Sequence, residues 1–212
     1  MRGVIKWPFG RGELLVLILF LLVGSIAIII MIPVNFSASG AQAAGFGQPV
    51  TQTSLGPVAE SDIELLTKVR QAGLWEIPAG RQADQRAQSD RVKQVARQIV
   101  ADHTRLDEEV RDLAAKLGVS LPNEPNDDQK SWMAELSGRF GQEYDLTFAQ
   151  RLRAAHGSVL TTVAAVRAGT RNDHIRAFAQ KAAQVVMNHM TLLESTGLVD
   201  HTALSDVPVP SS

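Results

Sequence analysis

From Ser61 onward the chain carries apolar side chains at alternating steps of four and three residues, and the pattern can be traced four times. The first series is Leu66, Val69, Gly73, Glu76, Gly80, Ala83 and Ala87. The second is Val92, Ala96, Ile99, His103, Leu106, Val110, Leu113 and Leu117. The third is Asp145, Ala149, Leu152, His156, Val159, Val163 and Val166, and the last is Ile175, Phe178, Ala182, Val185, His189, Leu192 and Thr196. This spacing puts each series on one face of a helix, as at the seam between packed helices. No alternating strand pattern competes with it over these residues.

Punctuation sets the limits of the elements. Ser61 or Asp62 can cap a first helix, with Glu64 three residues past Ser61 as in a capping box, and that helix runs to about Gln88. Ser89 or Asp90 caps a second, which ends at Leu117 before Gly118. The segment LPNEPND breaks the chain. A third helical region starts near Asp127, weakens around Gly138 and Gly141, and reaches Ala168 before Gly169. The fourth runs from Asn172 to Thr196, with Gly197 as its stop. Four seams on four helices predict an all-α, antiparallel four-helix bundle.

The exceptions to the apolar pattern carry the candidate chemistry. Glu76 stands at a core position within LWEIPAG, and each other seam holds one histidine near its middle: His103, His156 and His189. A seam takes roughly two positions in seven, so this coincidence points to a shared polar layer. Glu76 and His103 lie at matching distances from the turn near residues 88 to 90 and should be level. His189 lies farther from its turn than His156, by roughly 7 to 8 Å of helix rise, between the heights of Asp145 and His156. Asp145 is therefore a further candidate. A compact four-ligand site, a three-ligand site and a polar chain along the axis all remain open. Pro78 removes a helical hydrogen bond to the Leu74 carbonyl and predicts a bend, with Gly73 and Gly80 nearby.

The N-terminal region is of another kind. Leu14 to Ile32 is an uncharged apolar run preceded by Arg2, Lys6 and Arg11. It is long enough to span roughly 28 Å as a helix, and the flanking charge keeps the N-terminus in the cytoplasm. Residues 1–33 are expected to form a basic stub and a transmembrane or signal-anchor helix, 34–59 a flexible linker, 60–197 the bundle and 198–212 a disordered tail. This puts the protein at the cell membrane, single-pass, with its C-terminal domain extracytoplasmic. The alternative is a secreted or periplasmic protein cleaved near Ala43, where Ala41-Gln42-Ala43 offers small residues in the required spacing.

Composition narrows the function classes. The 212 residues are 45% hydrophobic and 20% charged, with a formal net charge of -1. That balance gives no basic surface for nucleic acid, and the expected partner is the membrane, through the N-terminal helix, with no protein partner indicated. There is no cysteine, which excludes disulfides, thiolate metal sites and thiol catalysis. A metal would be held by Glu76, His103, His156 and His189, and this set suits one divalent ion such as zinc, copper, nickel or iron. The chain has no Glu-x-x-His pair for a dinuclear carboxylate centre. Phosphate loops, nucleophile elbows and dinucleotide fingerprints are also absent.

The stretches LTKVRQAGLWEIPAGRQA, VKQVARQIVADHTRLDEEVRDLAAKLGVSLP and IRAFAQKAAQVVMNHMTLL, with Tyr144-Asp145 followed by His156, resemble an exported bacterial family known as domain of unknown function 4142. The Asp102-His103-Thr104 triplet is its most specific feature here, and the resemblance covers about residues 60 to 196. It implies a ferritin-like helical bundle, export and in some members a link to stress, with no established activity. Pro78 departs from the helix-friendly residue usual there. Three readings follow. The first is a binding or envelope-stress protein whose Glu/His cluster holds one metal ion. The second is an interaction module whose layer only specifies helix packing. The third, an enzyme reading, is a ferritin-like metal-dependent oxidoreductase.

Overall fold

The structure, a computed structural model, describes residues 50 to 204. The expected membrane-crossing run at 14 to 32 and the cleavage site near Ala43 lie outside the described residues. Among the described residues no helix is long and apolar enough to cross a membrane.

Two short strands, β1 (Val50–Thr53) and β2 (Gly56–Ala59), precede five α-helices: α1 (Glu60–Arg86), α2 (Asp90–Leu117), α3 (Asp127–Ser137), α4 (Gly141–Gly169) and α5 (Asp173–Glu194). The domain is thus helical, as the apolar spacing predicts. Helix α1 packs along α2, and α4 along α5. The two pairs meet through α1 with α4 and α2 with α5, and α3 lies against α1 and α4.

Two expectations need correction. The end of the linker is an antiparallel hairpin, with Val50 opposite Ala59 and Thr53 opposite Gly56. Its turn is held by the Thr53 hydroxyl, which donates to the Gly56 carbonyl at 2.7 Å, and Gly56 takes a positive φ of 106°. Val58 is buried in the helical core, and the Asn172 amide donates to the Leu55 and Pro57 carbonyls at 3.1 Å each. The second correction is that the third helical region is two helices. The break runs through Gly138, Arg139 and Phe140, and α4 begins at Gly141 with φ 58°.

Capping follows the sequence at most ends. The Ser89 hydroxyl accepts from Val92 N, Asn172 Oδ1 accepts from His174 N and Ile175 N, and Gly118 closes α2 in the left-handed conformation. At α1 the cap lies two residues before Ser61. Ala59 is its N-cap, and Asp62 rather than Glu64 reaches back, accepting from Ala59 N at 2.9 Å. Pro78 lies inside an uninterrupted α1.

The first seam is buried along its whole length, and so is most of the second and third. On α5 the buried stripe moves by one residue, with Val186 and Leu193 inside instead of Val185 and Leu192. A straight helix drifts about 20° per heptad against a 3.5-residue repeat, which accounts for the change.

Gly73 and Gly80 flank Glu76 on the same face of α1 and let α2 approach closely. A Cβ at Gly80 would lie 2.6 Å from the Val100 Cγ2 and 3.2 Å from the Ala96 carbonyl oxygen. A Cβ at Gly73 would lie 3.1 Å from the Asp107 carboxylate. This close approach brings the short reach of Glu76 onto α2.

Candidate metal centre

Glu76, His103, His156 and His189 meet in the interior, one from each long helix. They are 3%, 4%, 1% and 0% exposed. Glu76 Oε2 lies 3.0 Å from His103 Nε2 and 3.5 Å from His156 Nε2. His156 Nε2 lies 3.0 Å from His189 Nδ1. One nitrogen from each of the three rings falls within 4.8 Å of the others.

The expected height offset between His156 and His189 is absorbed by side-chain direction. Side chains on a helix lean toward its N-terminus. The α4 and α5 helices run antiparallel, so His156 leans away from their shared turn and His189 leans toward it. The two rings converge although their backbones are not level.

Asp145 does not join them. Its carboxylate accepts from Gln88 N at 3.2 Å and Ser89 N at 2.8 Å, and so holds the turn between α1 and α2. The residue missed by the seam is Asp102, whose Oδ2 is 3.0 Å from His189 Nε2. The Gln98 amide donates to Oδ2 at 2.9 Å, and the Arg105 guanidinium pairs with Oδ1. Asp102 lies on the helix face adjacent to His103, and its place in the Asp102-His103-Thr104 triplet was the one signal pointing to it.

Outer partners fix the tautomers. His156 Nδ1 is 2.7 Å from the Leu152 carbonyl, which can only accept. The proton therefore sits on Nδ1, and Nε2 presents a lone pair. Asp102 is held ionised: burial would raise its pKa, but hydrogen bonds from Gln98, His189 and Arg105 outweigh that and lower it. An ionised carboxylate also only accepts, so His189 carries its proton on Nε2 and presents a bare Nδ1. Two lone pairs thus face each other at 3.0 Å, beside the Glu76 carboxylate.

Such an arrangement calls for a cation, either a proton or a metal ion. Burial and the neighbouring rings His156 and His103 push His189 down to about 4, and burial likewise lowers His156. Near neutral pH neither ring takes a second proton. Glu76 is an anion: burial would raise it, but the attraction of His156 and His103 when protonated, with smaller help from His189, brings it down to about 2. His103 is raised, because Glu76 outweighs the effect of burial. The Glu76–His103 contact is nonetheless not a formed hydrogen bond. Glu76 Oε2 and both His103 ring nitrogens are buried without a hydrogen-bond partner. Buried polar atoms are rarely left so.

The donor set fits one metal ion. Four donors ~2.0–2.1 Å from a tetrahedral ion stand about 3.3 Å apart; the three imidazole nitrogens lie within 4.8 Å of one another, and Glu76 Oε2 stands 3.0 and 3.5 Å from two of the rings. Metal-binding histidines generally donate their second ring N–H to a carboxylate or carbonyl, as His189 does to Asp102 and His156 to Leu152. The surface cavities beside α4, beside the hairpin and between α2 and α5 are lined by none of the four residues.

A mainly helical domain with a carboxylate and three imidazoles gathered in its core is a class of protein that a family relationship can sharpen. The chain belongs to the family described as Domain of unknown function (DUF4142), which it matches over residues 48–195. No curated protein and no solved structure matches it.

Proposed function

We propose that this DUF4142 domain is an antiparallel four-helix bundle of ferritin-like architecture that binds a single divalent transition-metal ion through Glu76, His103, His156 and His189. The observation that carries the proposal is the pair of lone pairs, on His156 Nε2 and His189 Nδ1, facing each other 3.0 Å apart beside an ionised carboxylate. A bound cation would relieve that repulsion, and would also give Glu76 Oε2 and His103 Nε2 the partner they lack. Three imidazoles and one carboxylate favour zinc, copper, nickel or iron over magnesium or calcium. When bound, such an ion supplies a fixed positive charge that ties four helices together. Four protein donors leave no open position, the arrangement typical of structural rather than catalytic zinc sites. The role is accordingly binding, in an envelope-stress setting, and not turnover. A dinuclear oxidase is disfavoured because the layer offers one carboxylate where bridging needs several.

The domain works outside the cytoplasm, tethered by the apolar run Leu14 to Ile32 or released by cleavage near Ala43. The basic residues before that run support this orientation. The membrane is its partner through that run, and nucleic acid is not.

A second reading has its own support. The raised His103 and lowered Glu76 suit a buried ion pair, in which case the layer serves helix register alone. Metal analysis of the full-length protein, purified in detergent without chelator, separates the two. The metal reading expects close to one equivalent of transition metal per chain, lost in Glu76→Gln and His156→Gln variants that still melt cooperatively. Metal-free protein whose melting temperature ignores added zinc, copper, nickel and iron would leave only the ion-pair layer.

A further inference from the structure

We propose that Asp102 is the positioning residue of this centre, fixing the tautomer and ring orientation of His189 so that Nδ1, not Nε2, is turned toward the ion. The proposal rests on the metal-binding reading above. The three imidazoles are held in different ways. His156 is oriented from within its own helix, by the Leu152 carbonyl four residues earlier. His103 has no partner at Nδ1. His189, fully buried on α5, is oriented from another helix, through the 3.0 Å contact of its Nε2 with Asp102 Oδ2.

Asp102 is itself held. Gln98, one turn earlier on α2, donates to Oδ2 at 2.9 Å, and Arg105 pairs with Oδ1 from the surface, where its side chain is 67% exposed. With both oxygens engaged, the carboxylate faces the outer nitrogen of His189 and stays out of the donor set. Adjacent residues on a helix differ by about 100° around its axis. Helix α2 can therefore present His103 to the centre and Asp102 to α5 from one turn. The result is one ligand and one clamp from neighbouring positions. It explains how a histidine whose backbone is offset from the other ligands still points an exact nitrogen at them.

Two readings of the full-length protein test this, using zinc as the probe. The first is zinc affinity, by competition with a chromophoric chelator. Asp102→Ala is expected to raise the zinc dissociation constant about 10–100-fold, the usual effect of removing an outer-shell partner. The second needs no metal: ring-nitrogen NMR of the chelator-treated protein. In the wild type His189 is expected to be a single Nε2-protonated tautomer, and in Asp102→Ala to become a mixture. Asp102→Leu, similar in size and unable to accept a hydrogen bond, gives both readings should the alanine variant fail to fold. Wild-type zinc binding that is unchanged in the variants, or a His189 spectrum indifferent to them, overturns the role of Asp102 while the metal centre stands. Wild-type protein that binds no zinc instead removes the metal-binding reading, and the ring-nitrogen spectra then judge Asp102 alone.

Discussion

The interior has two apolar clusters and one polar layer between them, and the two kinds of region are built on opposite rules. One cluster gathers Leu65, Leu66, Val69, Leu106, Val110, Val163, Ile175 and Phe178 with their neighbours. The other gathers Trp75, Ala79, Val92, Ile99, Tyr144, Phe148, Leu152 and Leu193. On three long helices the polar residue falls where one cluster gives way to the other, His103 between Ile99 and Leu106, His156 between Leu152 and Val163, and His189 between Ala182 and Leu193, while on α1 Glu76 stands just inside the second cluster, between Trp75 and Ala79. In the clusters any apolar group of suitable volume contributes, and stability scales with area removed from water. In the layer each group depends on the others, because an unpaired buried charge costs far more than a lost methylene. Stability is therefore distributed through the clusters, whereas specificity is concentrated in four side chains.

That contrast can be broken most severely in a cluster. Phe148 is fully buried, and Phe148→Ala should cost about 3–5 kcal/mol, read as a lower denaturation midpoint with or without metal. An equal loss confined to the metal-loaded protein would contradict the separation of the two regions. The layer should behave in the opposite sense. Replacing Glu76, His103, His156 and His189 together by apolar residues of similar volume should leave the metal-free domain as stable, or more stable by about 1–4 kcal/mol, while abolishing metal binding. Marked destabilisation would mean that the layer supports the fold without any ion. A smaller effect is expected at the contact that joins the two regions. Gly80→Ala drives a methyl against Val100 and the Ala96 carbonyl, and should cost about 1–3 kcal/mol by overpacking.

Acid tests the comparison through the polar layer alone. His189 is lowered from 6.5 to about 4 and His156 is lowered too, so the unfolded chain binds protons that the folded one refuses. Stability of the metal-free protein should be complete above pH 6.5 on this account and fall as pH drops toward 4. Glu76, lowered from 4.5 to about 2, continues the fall over that lower interval. His103 is raised, so its contribution is present below 6.5 and lost as pH rises through its folded value. Opposing signs flatten the profile near neutrality. Denaturant midpoints from pH 3 to 8 give the test, and a midpoint that rises on acidification would contradict the assignment of His156 and His189 as neutral.

Much of this is legible in the sequence. Periodicity named the four faces because helix burial repeats every few residues, and Glu76, His103, His156 and His189 stood out as polar residues on those faces. What the pattern missed lies outside its reach. Asp102 sits one position off the seam, and its partner is 87 residues away on another helix. The hairpin of residues 50 to 59 is rich in linker residues, and is anchored by Val58 in the core and by Asn172 more than a hundred residues on. Asp145 has the right spacing and the wrong neighbours, since two backbone N–H groups at the turn claim its carboxylate. Spacing along one chain identifies which face a residue shares, not which end of a packed group it meets.

The most direct measurement is anomalous diffraction at a transition-metal absorption edge, from crystals of the zinc-loaded protein. The account predicts a single strong peak in the core, within bonding distance of Glu76 Oε2, His103 Nε2, His156 Nε2 and His189 Nδ1, with Asp102 held off behind His189. A core without a peak, with any zinc bound only at the surface, would contradict it.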